Sequence, residues 1–315
     1  MSPKKLAILM TLIFAIFIVS GCAVLPGCEM EENGEEEAQQ VEEEKMPEEI
    51  EEIENRVLEI MQQADLIPVI NMISEIEEDE ENENEEENEE GDENKEENEQ
   101  EENDLEETII LEDVLLSEVL IKEMEAEDEE NQEEENQYPQ NAEEIWDNIE
   151  NTLLELYEQW DNLESQLAGE NISPDYINSF EETLDRLTIS STEQNYFDTL
   201  TNANELTQYL PVFNVPFAEN CMPAAYELKY HTRNIILTAA ADNYEEAQDS
   251  MNYMKQLEGK LSEDLEENDA EETAEQLDIS LSNLQRVVDK QNLDLIKVNA
   301  AVTMENIMQV IEDLE

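Results

Sequence analysis

From Ile145 to the C-terminus, apolar residues recur every three or four positions, and no segment alternates with period two for long enough to make a sheet. That pattern confines residues 142–315 to an all-α fold. The first helix of the series carries Ile145, Ile149, Leu153, Leu156, Trp160, Leu163 and Leu167, the seam of a bundle helix. Asn141 is placed to cap its start and Gly169 to end it. Ser173-Pro174 opens a second helix, a cap followed by a first-turn proline, with Ile177, Phe180, Leu184 and Leu187 on one stripe. Ser190-Ser191-Thr192-Glu193 spells a capping box for a third, which carries Phe197, Leu200, Ala203 and Leu210 and stops before Pro211. Residues 211–223 hold three prolines and read as an irregular linker.

A fourth helix follows Pro223 with Ala225, Leu228, Thr232, Ile235 and Ala239. A turn near Asp242-Asn243 opens a fifth, with Tyr244, Ala247, Met251, Met254, Leu257 and Leu261. The last stretch, about 270–314, places Leu277, Leu281, Leu284 and Val288 on one stripe, then Leu295, Val298 and Val302. It reads as one long helix, or as two broken near Asp289–Asn292. The expectation is an antiparallel helical bundle of about six helices. An internal repeat is also visible. At an offset of 97, Leu154, Tyr157 and Trp160 meet Met251, Met254 and Leu257, and Phe180, Leu184 and Leu187 meet Leu277, Leu281 and Leu284. Dropping two residues in the next turn pairs Leu200 with Leu295 and Asn204 with Asn299. Two duplicated helical units would produce such a match, although any two amphipathic helices align somewhere.

Charge divides the chain. The 315 residues contain 88 Asp and Glu against 14 Lys and Arg, a formal charge of −74. Residues 29–141 hold 50 acids and 4 bases, and residues 142–315 hold 38 and 8. The first stretch is too charged and too poor in aromatics to read as a packed core. It reads instead as a disordered acidic tether, residues 22–141, in front of a bundle domain at 142–315. Two apolar islands interrupt it. Residues 47–64 space Ile50, Ile53, Val57 and Ile60 along one helix face, and residues 105–124 are dense in Ile, Leu and Val. The islands form transient helices or dock on the bundle. Surface acidity of this degree argues against nucleic-acid binding and against contact with anionic membrane through the protein surface. Diffuse cation association with the tether is expected. Glu86, Asn88, Glu90, Gly91 and Glu97 fall at EF-hand-like offsets, but position one lacks its Asp, and chance explains the match in so acidic a tract.

The N-terminus has the form of an export signal. Lys4 and Lys5 precede an apolar run from Leu6 to Val19, too short to cross a bilayer comfortably. The run ends Val19-Ser20-Gly21-Cys22. This segment resembles the lipobox of bacterial membrane lipoproteins: an aliphatic residue, two small residues, then the Cys that is lipidated. The resemblance covers residues 1–22 only. It implies that residues 1–21 are a signal peptide, that Cys22 carries a covalent diacylglyceryl group, and that the protein is extracytoplasmic, anchored to the bacterial cell membrane by its N-terminal lipid. Cys28 and Cys221 remain as thiols with nothing to bring them together.

Chemistry-bearing motifs are few. The only His is His231, one helical turn after Glu227, so the two share a face and are the sole candidates for a metal or ligand site, with Met251 or Met254 as further donors. The plainer reading is a Glu–His hydrogen bond on a bundle flank. Lys229, His231 and Arg233 form the densest basic cluster of the domain, suited to neutralising carboxylates inside the bundle. No phosphate loop, nucleophile elbow, zinc-protease or dinucleotide motif occurs. These features together read as a non-enzymatic, lipid-anchored cell-envelope protein that presents a helical interaction or structural module to a protein partner, without a cofactor. The alternative is a ligand- or metal-binding lipoprotein with its site near His231. Acid excess on the folded part also resembles proteins of salt-loving bacteria.

Overall fold

The computed structural model describes residues 46–87, 114–125, 139, 141–218 and 221–314, and among them the structure is all helical. The helices are α1 Glu48–Glu87, α2 Ser117–Glu125, α3 Ala142–Leu167, α4 Pro174–Thr192, α5 Tyr196–Thr207, α6 Leu210–Asn214, α7 Met222–Ala240, α8 Tyr244–Glu267, α9 Glu271–Val288 and α10 Leu293–Leu314. The final stretch is thus two helices rather than one.

Most caps fall where the sequence puts them. The Asn141 side chain accepts from the Glu144 amide, Ser173 from Asp175 ahead of Pro174, and Asn243 from Glu246. The third helix starts differently. Ser190, Ser191 and Thr192 form the last turn of α4, where the Ser191 and Thr192 hydroxyls donate back to the Leu187 and Thr188 carbonyls. Asn195 is the cap of α5 and accepts from the Asp198 amide. The expected irregular linker also contains the short helix α6.

The packed unit begins far ahead of residue 142. Ile50, Ile53, Val57, Leu58, Ile60 and Met61 of α1 are fully buried in the same core as α3–α10, as are Leu116 and Leu120 at α2. The first island continues past Ala64 as one helix to Glu87, through Pro68. Of the second island, residues 117–124 are helix and residues 114–116 are a bend leading into it; residues 105–113 lie outside the described residues. The boundary expected at 142 is therefore replaced by a compact unit spanning 45–315. Burial of an apolar stripe outweighs the local charge: Glu48, Glu51, Glu52 and Glu59 lie off the buried stripe, and only Glu54 and Asp65 among the described acids of α1 are buried.

The unit is built twice. In the first half α1 lies against α3 and α5, α3 against α4, and α4 against α5. In the second, α7 lies against α8 and α10, α8 against α9, and α9 against α10. Burial repeats residue by residue. Ile50, Ile53, Glu54, Val57, Leu58, Ile60, Met61 and Ala64 of α1 match Ala225, Leu228, Lys229, Thr232, Arg233, Ile235, Ile236 and Ala239 of α7. Phe180, Thr183, Leu184, Leu187, Ser190 and Ser191 of α4 match Leu277, Ser280, Leu281, Leu284, Val287 and Val288 of α9.

The repeat also corrects the register read from sequence. In α3 and α8 the buried pairs are Leu153 with Met251 and Leu156 with Met254; Leu154 is exposed. No residues drop out before α5. Gln194 and Gln291 both take positive φ, and Asn195 and Asn292 both cap the next helix. Leu200 thus corresponds to Lys297, not to Leu295. Consequently Leu295, Val298 and Val302 lie outside the core, and Ile296, Ala300, Met304, Ile307 and Ile311 fill it.

Candidate functional site: a buried charge cluster between the repeats

On α7, Lys229 and Arg233 sit one turn apart on the face turned away from solvent, and both are fully buried. Two cations inside a core need anions, and the two nearest come from the stretch read as tether. Glu54 of α1 places Oε2 2.9 Å from Lys229 Nζ. Glu123 of α2 lies 3.2 Å from the same ammonium and accepts from Arg233 Nη1 through both carboxylate oxygens. From α5, Asn204 Oδ1 accepts from Arg233 Nε at 2.9 Å, and Thr207 Oγ1 accepts from Nη2 at 2.8 Å. The Tyr226 ring covers Lys229, with Nζ 4.8 Å from its centroid. Glu54 and Lys229 occupy matching positions in the two repeats, so one repeat supplies the anion where the other supplies the cation.

Two positive and two negative side chains cancel, which is the condition for burying them at all. Burial pushes the Glu123 carboxyl up, but the Arg233 and Lys229 charges outweigh it and hold the carboxyl below its ordinary range. Placement of Glu123 depends on a cap that spans helices. Asp65 of α1 accepts from the amides of Leu115, Leu116 and Ser117 and from the Ser117 hydroxyl, each at 2.8 Å, at the start of α2. Burial pushes the Asp65 carboxyl up, against those four donors.

The expected basic cluster thus divides. Lys229 and Arg233 neutralise carboxylates inside the bundle. His231 points elsewhere, half-buried between the rings of Tyr230 and Tyr253, and its Nδ1 is buried without a hydrogen-bond partner. Burial pulls the imidazole down to about 4. The Glu227 carboxyl, raised by burial, takes its hydrogen bond from Tyr253 rather than from His231. Met251 and Met254 are fully buried in the core. Among the described residues no group of three or more His, Cys, Asp and Glu is arranged to hold a metal. Cys221 stands half-buried ahead of α7, its amide donating to Asp264. Cys22 and Cys28 lie outside the described residues, as do Asn88, Glu90, Gly91 and Glu97; Glu86 falls in the last turn of α1.

Sequence reasoning missed Glu54 and Glu123. The signal was present: Glu54 follows Ile53 within the arc of Ile50, Ile53 and Val57, and Glu123 continues the line of Leu116, Val119 and Leu120. An acid inside an apolar arc needs a buried cation, and Lys229 and Arg233 are the buried pair that sits in the opposing repeat. Every charged group of the cluster faces another within the protein, so the arrangement fixes helices rather than offering an acid, base or nucleophile to a substrate. No family model, curated protein or solved structure matches this chain. No described helix is long and apolar enough to cross a membrane.

Proposed function

We propose that the protein is a non-enzymatic, lipid-anchored component of the bacterial cell envelope that presents a duplicated helical module as an interaction or structural surface. The observation that carries this reading is the Val19-Ser20-Gly21-Cys22 sequence placed directly after a basic, apolar leader. The internal use of the module's buried charges supports a binding or scaffolding role over a catalytic one. In sequence, residues 23–45 lie between Cys22 and the first described residue, Met46. The most acidic run instead joins α1 to α2, so its two ends belong to the module and it does not set the distance to the membrane. Diffuse cation association then belongs to the module as well. Replacing Cys22 by Ser should move the protein from the membrane fraction to the soluble fraction. Retention of Cys22→Ser in the membrane would overturn the lipid-anchor reading.

A further inference from the structure

The two halves meet at two seams that the repeat makes equivalent, and only one of them is closed directly. At the first seam α7 packs on α5, and Arg233 reaches Asn204 and Thr207. The matching pair at the second seam is α1 with α10, and these make no comparable contact. α2 lies there instead, mainly along α10, with its first amides on Asp65 of α1. The second half has no counterpart of α2, because α7 passes to α8 through the short turn at 241–243. The second seam is therefore a groove between two helices, filled by a third.

The groove engages one face of α2. Leu116, Val119, Leu120 and Glu123 are buried and share that face, whereas Ile121 on the other side is 45% exposed. Asp65 takes the amides at one end, and Lys229 and Arg233 meet Glu123 at the other. The Lys122–Glu305 pair on the flank is 4.0 Å apart and exposed, and adds little. Recognition thus uses a helix N-terminus, three apolar side chains and a carboxylate.

We propose that this groove is the module's interaction surface, that α2 is its resident occupant, and that a partner protein displaces α2 with a helix of the same chemistry: apolar residues at i, i+3 and i+4 and an acid at i+7. This rests on the interaction role proposed above and names its surface. A helix laid in a groove is anchored by such a set of positions. α2 is too short to persist alone, so its helix depends on the groove. Residues 88–113 and 126–140 separate it in sequence from α1 and α3, so contacts rather than short connections fix its place. Without α2, the groove keeps Lys229 and Arg233 against Glu54 alone, a net positive floor in an acidic module. That floor selects a carboxylate, and Asp65 selects a helix N-terminus and so sets direction.

Fluorescence anisotropy with a labelled peptide of residues 112–126, added to the full-length chain in detergent, tests this. The wild-type chain should bind it weakly, because its own α2 competes from within the molecule. Leu120→Asp, on α2 and not on the groove, should lower the dissociation constant about tenfold or more. A peptide carrying Glu123→Lys should not bind, and salt should weaken the parent peptide. Hydrogen exchange of the wild-type chain needs no variant: amides of α2 should exchange about tenfold or more faster than those of α7. A peptide that binds neither chain, a Leu120→Asp chain with no cooperative melt, or α2 amides as protected as those of α7 would overturn the proposal. A wild-type dimer in sedimentation that Leu120→Asp abolishes would assign the groove to α2 of a second copy, and so overturn the partner. None of these readings involves Cys22, so they stand apart from the fractionation of Cys22→Ser.

Discussion

At Arg233 the guanidinium uses Nε, Nη1 and Nη2 on Asn204, Glu123 and Thr207, and none of it meets water. Removing one partner of such a cluster leaves an uncompensated buried charge. Arg233→Ala or Glu123→Ala should therefore cost about 3–5 kcal/mol in chemical denaturation, a large part of any domain's stability. The paired change Arg233→Met with Glu123→Leu should recover much of that loss, since it removes both charges and keeps volume. Two pH effects follow from the same scale. The depressed Glu123 carboxyl contributes stability that is complete above its ordinary range and is lost as pH falls through its lowered value. His231 stays neutral in the fold down to about 4, while the unfolded chain protonates it near 6.5. Stability should fall between those values by on the order of 2 kcal/mol on this account, and the difference between wild type and His231→Gln isolates that part from Glu227, which titrates with opposite sign. Equal pH profiles for the two would contradict the burial of the imidazole.

Among the elements, α2 is the one most dependent on others. It is nine residues long, too short to persist alone, and its first amides are satisfied by Asp65 from another helix. Asp65→Ala should lower stability by about 1–2 kcal/mol, and Asp65→Asn by less, read from the denaturation midpoint. A neutral Asp65→Ala would show that α2 is held by Leu116 and Leu120 alone. Helices α3, α4 and α8 were legible in the sequence because a single apolar stripe and a cap agreed, and α7 because its stripe follows Pro223. α1 was only half legible: its stripe was plain, but its surroundings were so acidic that docking could not be told from a transient helix. The register of α10 was misread because the helix is apolar on two lines. Leu295, Val298 and Val302 have core spacing, and only the neighbouring helices decide that Ile296, Ala300 and Met304 face inward. Of the charge cluster, the cations were read as partners of buried carboxylates, but which carboxylates was not legible: Glu54 and Glu123 are more than a hundred residues from Lys229 and Arg233.

Across the whole molecule, 88 acids face 14 bases, and little within the module offsets its self-repulsion. Salt shortens the range of that repulsion from about 30 Å at 0.01 M to about 3 Å at 1 M. Melting temperature should rise smoothly with NaCl or KCl toward molar levels, without the saturation that a specific divalent site would give. An unchanged melting temperature would mean the charges are dispersed enough to matter little. The central claim is that α1, drawn from the acidic stretch, is a structural half of the module and the counterpart of α7. It occupies the groove of α3 and α5 with Ile50, Ile53, Val57, Ile60 and Met61, and it brings Glu54 to Lys229. Thermal unfolding of two fragments, 45–315 and 142–315, tests this most directly. The longer should melt in one cooperative transition, and the shorter should show none, with its α3 and α5 faces and its Lys229 and Arg233 charges uncovered. A 142–315 fragment that melts cooperatively at the temperature of the longer one would contradict the account.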